Sequence, residues 1–388
     1  MAGRRGNGEG SIYYSEKLNR WVGQFTNGVK TNGTPNRKSV YGKTRKEVAE
    51  KIAKALNEIK ERTFVDKSNV TLLQLMVENV EDKFNANKTS PTTYLRDKET
   101  IKTITNIPNT IANKEIQKIT SRDLKKFFSS ITNYSNSSID KIYRFINSAF
   151  KKAVYYKLLY TNPLDNSMEI IKPKSDNPDK LVEALTIEQQ RRLLEVLNNQ
   201  ELNHPYRNII MLMLFTGMRI GEVLALSCEN VDLKNNIIKI KRTLTKDEKG
   251  NVIVGNKTKT YTSLRDIQML PVVKEILSNI KPKNKLGLLF YDNENNEIIK
   301  HFEINSYLKR IAKKYNIADK LHNHMLRHTY ATRCIESGMT AVVLAKKLGH
   351  KDVSITLNTY TSVFAKFEDT QDDRFVDYLS KENLIALH

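Results

Sequence analysis

The sequence predicts a multidomain, mainly α-helical protein with a small N-terminal three-stranded sheet plus helix, an all-helical domain and a mixed α+β domain. Its 388 residues suit two or three domains at ~100–200 residues each. Apolar residues recur at helical spacing over most of the chain, and strand patterns are confined to two zones. The polar stretch IKPKSDNPDK at 171–180 is typical of a linker between the second and third domains.

Residues 1–63 carry 14 Lys and Arg against 6 Asp and Glu, a net charge of +8. The predicted strands are Ser11–Tyr14, Arg20–Phe25 and Arg37–Tyr41. The predicted turns are Asn27-Gly28 and Asn32-Gly33. Thr44 and Glu47 have the spacing of a capping box and predict the start of a helix. A binding surface and an ordinary solvated face both explain the charge of this zone.

Residues 64–170 are predicted to form the all-helical domain, with Leu72, Leu75, Met76 and Val80 in one apolar stripe. In residues 181–363 the predicted elements are a first helix capped by Thr186, a buried helix at Arg207–Phe215, and strands at Asn236–Arg242, Val252–Val254 and Asp266–Leu270. We expect the first two strands to pair across Asp247–Asn251, and helices to return from His324 to the end.

The net charge of +21, from 64 Lys and Arg against 43 Asp and Glu, indicates an anionic partner. Nucleic acid is the first candidate and an anionic membrane surface the second. The two cysteines, Cys228 and Cys334, are too few for a disulfide framework or a cysteine metal site. Since the start lacks an apolar core and no apolar run approaches ~20 residues, we expect a protein of the reducing cytoplasm.

Two arginines in the third zone have neighbours that fix a guanidinium. Arg219 lies three residues before Glu222, so both project from one helix face, either as a supported cation or as an ordinary surface ion pair. On a predicted helix, His324, Arg327 and His328 cluster on one side. A fixed guanidinium makes bidentate contacts with phosphate, and histidine donates a hydrogen bond or moves a proton.

Three further features continue this chemical pattern. His350 follows Gly349, which fits the C-cap of the preceding helix, and is placed either in a cleft or in solvent. Tyr360 comes ten residues later, and its hydroxyl needs neighbouring cations or a base to act as a nucleophile. Lys257 and Lys259 lie in a predicted hairpin loop, where a lysine is either solvated or reaches DNA and protonates a departing oxygen.

Together these residues predict a cationic pocket around a hydroxyl nucleophile, which suits a phosphodiester because its transition state gathers negative charge on the non-bridging oxygens. Without a P-loop spacing or an acidic metal cluster, we expect no ATP, cofactor or metal requirement. The competing interpretation is a metal site, since His322 and His324 resemble a pair of metal ligands. Arg327, a permanent cation in the same cluster, counts against it.

Four stretches resemble the tyrosine recombinases, specifically integrases of phages and conjugative transposons. They are TGMRIGEVLAL at 216–226, KTYTSLRDI at 259–267, HMLRHTYAT at 324–332 and LGHKDVSITLNTY at 348–360. The resemblance implies that the scissile phosphate is surrounded by Arg219, Lys259, His324, Arg327 and His350, with Tyr360 as nucleophile. It also implies a supporting role for Glu222 and a structural one for His328. Lys257 remains the alternative to Lys259.

The resemblance further implies a 3′-phosphotyrosine intermediate, a free 5′-hydroxyl that reverses the step on a partner strand, and a four-way junction held by four protomers. Residues 64–170 would be the core-binding domain, residues 181–363 the catalytic domain, and residues 1–63 the arm-type DNA-binding domain. The candidate arm contacts are Tyr13, Arg20, Trp21, Gln24, Arg37 and Lys38. Besides double-stranded DNA, the candidate partners are an excisionase and a host DNA-bending protein; no membrane is expected.

The tail at 364–388 has 3 Lys and Arg against 6 Asp and Glu, a net charge of −3. Its apolar residues favour packing on a protein surface, and the resemblance implies a neighbouring protomer. Two alternatives to the recombinase function remain at this stage. One is a DNA-binding regulator using a helix-turn-helix over Val342–Leu357, and the other is a metal-dependent nuclease using His322, His324 and His328.

Overall fold

The computed structural model describes residues 10–29, 33–61, 63–165, 170–177, 183–199, 204–255, 264–282, 284–366, 368–382 and 384. The chain forms two compact units, Met1–Asp179 and Lys180–His388. The division falls inside the predicted linker. The first half of that linker is attached to unit 1, because the Ser175 and Asp176 N–H groups donate to Asn136 Oδ1 and Thr132 O at 2.8 Å each.

Unit 1 begins with an antiparallel sheet in the order β1-β2-β3 and a helix that covers one face. The elements are β1 (Ser11–Ser15), β2 (Arg20–Val29), β3 (Pro35–Gly42) and α1 (Arg45–Lys60). Thr44 caps α1 by accepting the Glu47 N–H, as predicted. The predicted turn at Asn27-Gly28 is wrong: β2 runs through it with a register shift between Thr26 and Val29. Asn32 lies outside the described residues.

Four helices form the rest of unit 1 around a single apolar core. They are α2 (Leu72–Asn85), α3 (Pro91–Asn106), α4 (Ser121–Ser129) and α5 (Asn136–Tyr155). Thr71 and Thr120 begin α2 and α4 with complete capping boxes, which satisfy N–H groups that a helix start leaves unpaired. Phe64 packs edge to face on Phe25, so this residue belongs with the N-terminal sheet by its contacts.

Unit 2 surrounds a larger core with helices and two small antiparallel sheets. The helices are α6 (Ile187–Asn198), α7 (Arg207–Thr216), α8 (Ile220–Leu224), α9 (Pro271–Ser278), α10 (His301–Lys314), α11 (Asn323–Glu336), α12 (Ala341–Leu348), α13 (Val353–Ala365) and α14 (Glu368–Lys381). The strands are β4 (Val231–Asp232), β5 (Ile237–Ile240), β6 (Leu244–Lys246), β7 (Val252–Val254) and β8 (Arg265–Gln268). The sheet orders are β4-β5-β8 and β6-β7.

Two sequence predictions for unit 2 are wrong. The strand predicted at Asn236–Arg242 does not pair across Asp247–Asn251; the separate strand β6 pairs there with β7, and β5 pairs with β8. The prediction that helices return only from His324 is also wrong, since α9 and α10 precede that residue. Among the described helices, none has the length and apolarity needed to cross a membrane.

Candidate active site

The Arg327 guanidinium on α11 is buried, with the residue 5% exposed, and it is held on three sides. Nη1 donates to Gly217 O at 2.6 Å, and Nη2 donates to Leu348 O at 2.7 Å and to His350 Nε2 at 3.1 Å. The two carbonyls lie at the C-terminal ends of α7 and α12, where carbonyls lack helical partners and carry partial negative charge. Backbone oxygens and an imidazole therefore fix Arg327, so its positive charge keeps no carboxylate as a direct partner.

Both helix ends depend on a left-handed glycine. Gly217 has φ +65° and Gly349 has φ +67°, so the C-cap predicted at Gly349 is confirmed. A Cβ at Gly217 would lie 2.3 Å from Tyr330 Cδ1, and one at Gly349 would lie 2.9 Å from Arg265 Nη1. A side chain at position 217 would displace the turn that presents the Gly217 carbonyl to Arg327. A side chain at position 349 would press against Arg265.

Glu222 is buried between two arginines. Its Oε1 accepts from Arg219 Nη1 at 3.0 Å and from Arg265 Nη1 at 3.1 Å, and its Oε2 accepts the Arg219 backbone N–H at 2.9 Å and Arg265 Nη2 at 2.7 Å. Burial opposes ionisation, but the Arg265 hydrogen bonds and both arginine charges lower the pKa of the Glu222 carboxyl. Arg219 is the N-cap of α8 and precedes the helix, so the predicted shared helix face is wrong although the contact exists.

Arg265 is a component of the site to which the sequence assigned no role. Its side chain is 6% exposed, and its Nε donates to Lys347 O at 2.7 Å, beside the turn that carries His350. It thus joins the Arg219–Glu222 pair to the end of α12. A sequence signal for it exists in the stretch at 259–267, but its partners lie 43 and 82 residues away.

The cluster has more positive than negative charge. Glu222 binds Arg219 and Arg265 directly, and its charge also acts on the nearby Arg327, whose hydrogen bonds go to backbone carbonyls and His350. Burial, followed by the charge of Arg219, lowers the pKa of Arg327 to about 9, so the guanidinium is still charged at neutral pH. Because buried charge without a counter-ion is costly, the cluster is built to accept an anion.

His350 adjoins Arg327 as a neutral imidazole. Its Nε2 accepts from Arg327, so its other nitrogen carries the proton and Nδ1–H donates to Thr356 Oγ1 at 2.8 Å. Burial, and then the charges of Arg327 and Arg219, lowers the pKa of His350 to about 4. His324 is more exposed, and burial with the Arg327 charge lowers its pKa.

Tyr360 is 2% exposed and lies at a break in α13, where its φ of −118° and ψ of 20° leave the helical range. Its hydroxyl and His328 Nδ1 are 2.8 Å apart. Burial raises the pKa of Tyr360 to about 12, although the nearby Arg327 charge opposes this. Burial, followed by His324 and Arg327, lowers the pKa of His328 to about 4. At neutral pH both groups are therefore uncharged.

The structure does not gather the histidines of the metal interpretation. His322 caps α11 and its Nδ1 accepts the Met325 N–H at 3.0 Å, whereas His328 is bound to Tyr360. Over the part of the chain that the structure describes, no three His, Cys, Asp or Glu side chains group as a metal-ion site. Lys257 and Lys259 lie outside the described residues.

The helix-turn-helix predicted over Val342–Leu357 exists as α12 and α13, joined by four residues. Its turn is occupied by the arginine cluster, since Leu348 O binds Arg327 and Gly349 O accepts Arg219 Nη2 at 3.4 Å. The motif therefore serves to assemble the site.

The six N-terminal candidates divide between the two faces of the sheet. Alternation and register place Tyr13, Arg20, Gln24 and Arg37 on the face away from α1. Gln24 Nε2 donates to Tyr13 Oη at 3.4 Å on that face. Trp21 packs with the core beneath α1, and Lys38 is paired with Asp66 at 2.7 Å. Four of the six thus share one open surface.

Residues 183–366, which hold this whole cluster, match the phage integrase family. The chain belongs to the tyrosine recombinases of that family and is a site-specific recombinase of the integrase class. This assignment replaces both alternatives drawn from the sequence, the regulator without catalysis and the metal-dependent nuclease.

Three comparisons extend over most of the chain. The tyrosine recombinase XerC-like protein of Caldanaerobacter subterraneus subsp. tengcongensis is 27% identical over 383 residues, covering 90% of this chain and 95% of that protein. The Tn1549 transposon integrase in complex with transposon right end DNA has a TM-score of 0.65 at 21% identity, covering 77% of this chain and 99% of that one. A lambda integrase tetramer bound to a Holliday junction has a TM-score of 0.53 at 16% identity, covering 91% and 96%. These two structures share the fold of this chain.

Proposed function

We propose that this recombinase cuts and rejoins DNA through Tyr360, with the scissile phosphate held by Arg219, Arg327, His324 and His350. Tyr360 attacks the phosphorus, forms a 3′-phosphotyrosine and releases a 5′-hydroxyl. A lysine of the 256–263 segment, Lys259 with Lys257 as alternative, protonates the leaving oxygen. The 5′-hydroxyl of a partner strand then reverses the step, so no external energy source is needed.

The observation that carries this proposal is the excess of buried positive charge beside a buried tyrosine. Glu222 binds the guanidiniums of Arg219 and Arg265, whereas backbone carbonyls and His350 hold the buried guanidinium of Arg327 near Tyr360. A phosphodiester brings one negative charge in the ground state and more charge on its oxygens in the transition state. Fixed donors stabilise that added charge without having to reorganise.

Tyr360 must become accessible before it reacts. It is 2% exposed, and the break in α13 at this residue separates the first two turns of the helix from Thr361 onwards. We infer that DNA binding shifts the chain at this break and brings Tyr360 Oη to the phosphate. We infer that this shift is local, so that Val363 and Phe364 stay packed on the cluster that contains Leu344 and Leu348. A local shift also keeps the Tyr360 hydroxyl beside His328.

The substrate that we infer is double-stranded DNA at the ends of a mobile element, with core-type and arm-type sites and four protomers at the junction. The Tn1549 and lambda complexes support this by analogy. The helical domain presents a cleft of about 280 Å³ whose lining includes Lys83, Arg96, Lys141 and Arg144, which suits core-site phosphates. An excisionase, a host DNA-bending protein and action at the nucleoid are implied by the family resemblance.

We also propose that the tail packs on a neighbouring protomer. In α14 and beyond, Phe375, Tyr378 and Leu384 are 61%, 56% and 64% exposed, which is unusual for apolar side chains. Because Phe364 packs on the cluster around Tyr360, a truncation that spares this cluster should follow Lys366. Truncation there should weaken assembly on DNA while leaving monomer stability intact. Unchanged assembly in analytical ultracentrifugation would contradict the proposal.

A nicked duplex spanning the joined ends of the element that carries the gene tests the nucleophile. The protein is incubated with it in EDTA without ATP, and SDS-resistant protein–DNA adducts are measured. We expect adducts from the wild type and from Tyr330→Phe, a neighbouring tyrosine in the same apolar cluster, and none from Tyr360→Phe. Adducts that persist in Tyr360→Phe, or that require added metal, would contradict the mechanism.

A further inference from the structure

We propose that His328 is the general base that takes the hydroxyl proton of Tyr360 during DNA cleavage and returns it during rejoining. The inference rests on Tyr360 as the proposed nucleophile. It gives a catalytic role to a residue that the family resemblance marks as structural.

The geometry is that of a base poised at its nucleophile. His328 Nδ1 lies 2.8 Å from Tyr360 Oη, within the range for direct proton transfer, and the rings meet edge to face at 5.7 Å. His328 directly follows Arg327 on α11, so one helix turn carries both the phosphate-holding guanidinium and the proton acceptor. The hydrogen bond joins residues 32 positions apart, and it forms only because α13 packs on α11.

The other imidazole at the centre of the cluster is committed to different partners. His350 Nε2 accepts from Arg327, and its Nδ1–H is donated to Thr356. Both ring nitrogens of His350 are therefore in use. His328 Nδ1 faces the Tyr360 hydroxyl, and the proposal assigns the ring proton to Nε2, so that the basic lone pair of Nδ1 is directed at that hydroxyl.

Charge near His328 explains why the proton stays on Tyr360 until substrate arrives. Burial, His324, Arg327 and His322 lower the pKa of His328 to about 4, while burial raises the pKa of Tyr360 to about 12. Arg327 and the two other histidines face His328 from α11 and its N-cap, and the Tyr360 hydroxyl faces it from α13. A bound phosphodiester brings negative charge to Arg327 and so raises the basicity of His328.

In cleavage, one proton leaves Tyr360 and another reaches the departing 5′-oxygen. The Tyr360 O–H bond breaks as an N–H bond forms at His328 Nδ1, and the freed oxygen electron pair forms the bond to phosphorus. The bond between phosphorus and the 5′-oxygen breaks, and that oxygen takes its proton from the proposed lysine. In rejoining, the incoming 5′-hydroxyl gives its proton to that now neutral lysine, and its oxygen forms the bond to phosphorus. The bond between phosphorus and Tyr360 Oη breaks, and the His328 imidazolium returns its proton to Oη.

The test variant removes the basicity of residue 328 but keeps a hydrogen-bond acceptor for the Tyr360 hydroxyl. In His328→Asn the amide oxygen lies near the position of Nδ1 and accepts a hydrogen bond, but it does not take a proton. We expect cleavage of the nicked duplex at saturating protein to fall by about 100-fold or more, with unchanged DNA binding. His301→Asn, an exposed histidine on α10, is the matched control and should cleave like the wild type.

Two further measurements distinguish a base from a packing residue. Site-specific 3,5-difluorotyrosine at position 360, a more acidic phenol, should restore much of the cleavage lost in His328→Asn. In the wild type the cleavage rate should level off below pH 8 as His328 becomes deprotonated, whereas the rate of His328→Asn should keep rising. The wild-type profile needs no variant, so a rate without a plateau would overturn the proposal even if His328→Asn failed to fold.

Several outcomes would overturn the proposal. They are a His328→Asn protein that binds DNA and cleaves within threefold of the wild type or faster, no rescue by the fluorinated tyrosine, and a wild-type rate that climbs without a plateau through pH 9. Failure of the nucleophile assignment looks different, because adducts would then be absent from the wild type or present in Tyr360→Phe.

Discussion

The arginine cluster of unit 2 and the open face of the N-terminal sheet are both basic, but they hold charge in opposite ways. Arg327 is 5% exposed and has three hydrogen-bond partners, whereas Arg20 and Arg37 are exposed. Burial obliges a cation to have fixed partners, since unsatisfied polar groups are costly inside a protein. A fixed cation is suited to stabilising a transition state, while an exposed one contributes salt-dependent attraction to DNA.

Arg327→Lys tests most directly whether the fixed geometry of the buried arginine is needed for cleavage. Lysine keeps the charge but cannot bind two carbonyls and a phosphate in the fork geometry of arginine. Cleavage at saturating DNA should fall by about 10²–10³-fold, the usual effect of losing one transition-state donor. Arg191→Lys, an exposed arginine of α6, serves as the control and should retain the wild-type rate. An Arg327→Lys rate within tenfold of the wild type would show that fixed geometry is not essential.

Arg265→Met tests whether the buried Arg265 side chain holds the other members of the cluster in place. It leaves Glu222 buried without its main counter-ion and frees the Lys347 carbonyl. The free energy of unfolding should fall by about 3–5 kcal/mol, as for other broken buried ion pairs. Cleavage should fall as well, because the carboxylate that orients Arg219 loses the Arg265 contacts that hold it in place.

Arg242→Met is the matched control for that experiment, since Arg242 pairs with Glu229 at the surface of the same unit. Exposed pairs contribute about 0–1 kcal/mol. Denaturant unfolding of both variants should therefore differ clearly. Equal losses would mean that the Glu222 pair is no more important than a surface pair.

Acid should destabilise unit 2 through its neutral histidines. The pKa values of His328 and His350 are about 4 in the folded chain, below the ordinary value of 6.5, so the unfolded state binds more protons. Their contribution to stability is complete above pH 6.5 and is lost as pH falls towards 4. We expect the thermal midpoint to drop by several degrees between pH 6.5 and 4.5.

Glu222 does not contribute to the change in thermal midpoint between pH 6.5 and 4.5. The pKa of its carboxyl is lowered, so its contribution to stability is lost only below pH 4.5. The double variant His328→Asn, His350→Asn should show a flatter pH dependence above 4.5. A slope as steep as that of the wild type would assign acid sensitivity to other groups.

The sequence could predict Arg219, Arg327, His350 and Tyr360 because each lies in a short stretch with its own chemical signature. The Arg219–Glu222 contact was likewise visible at a spacing of three residues. Arg265 was not predictable, because its three contacts come from Glu222, Lys347 and the turn at Gly349, which only the fold brings together. The same holds for the hydrogen bond between His328 and Tyr360.

The fold predictions failed where one local signal serves two structures. Asn27-Gly28 has the composition of a hairpin turn, but a glycine with positive φ also fits a bulge, and β2 has a register shift there with Gly28 at φ +70°. The unit boundary falls inside the predicted linker, but a polar segment can also be fixed by hydrogen bonds, and the Ser175 and Asp176 N–H groups bind unit 1. Composition alone does not distinguish these cases.

The smallest expected effect lies at the sheet. Arg20→Ala and Arg37→Ala remove exposed charges from the face that also carries Tyr13 and Gln24. Each should reduce the slope of log affinity against log salt by about 1 on duplexes from the element ends, with cleavage at saturating DNA unchanged. Lys54→Ala, on α1 and 80% exposed, is the control of equal charge on the opposite side and should leave the slope unchanged. If Lys54 matters as much as Arg20, the attraction is a property of the whole basic domain, and the open face has no special place in it.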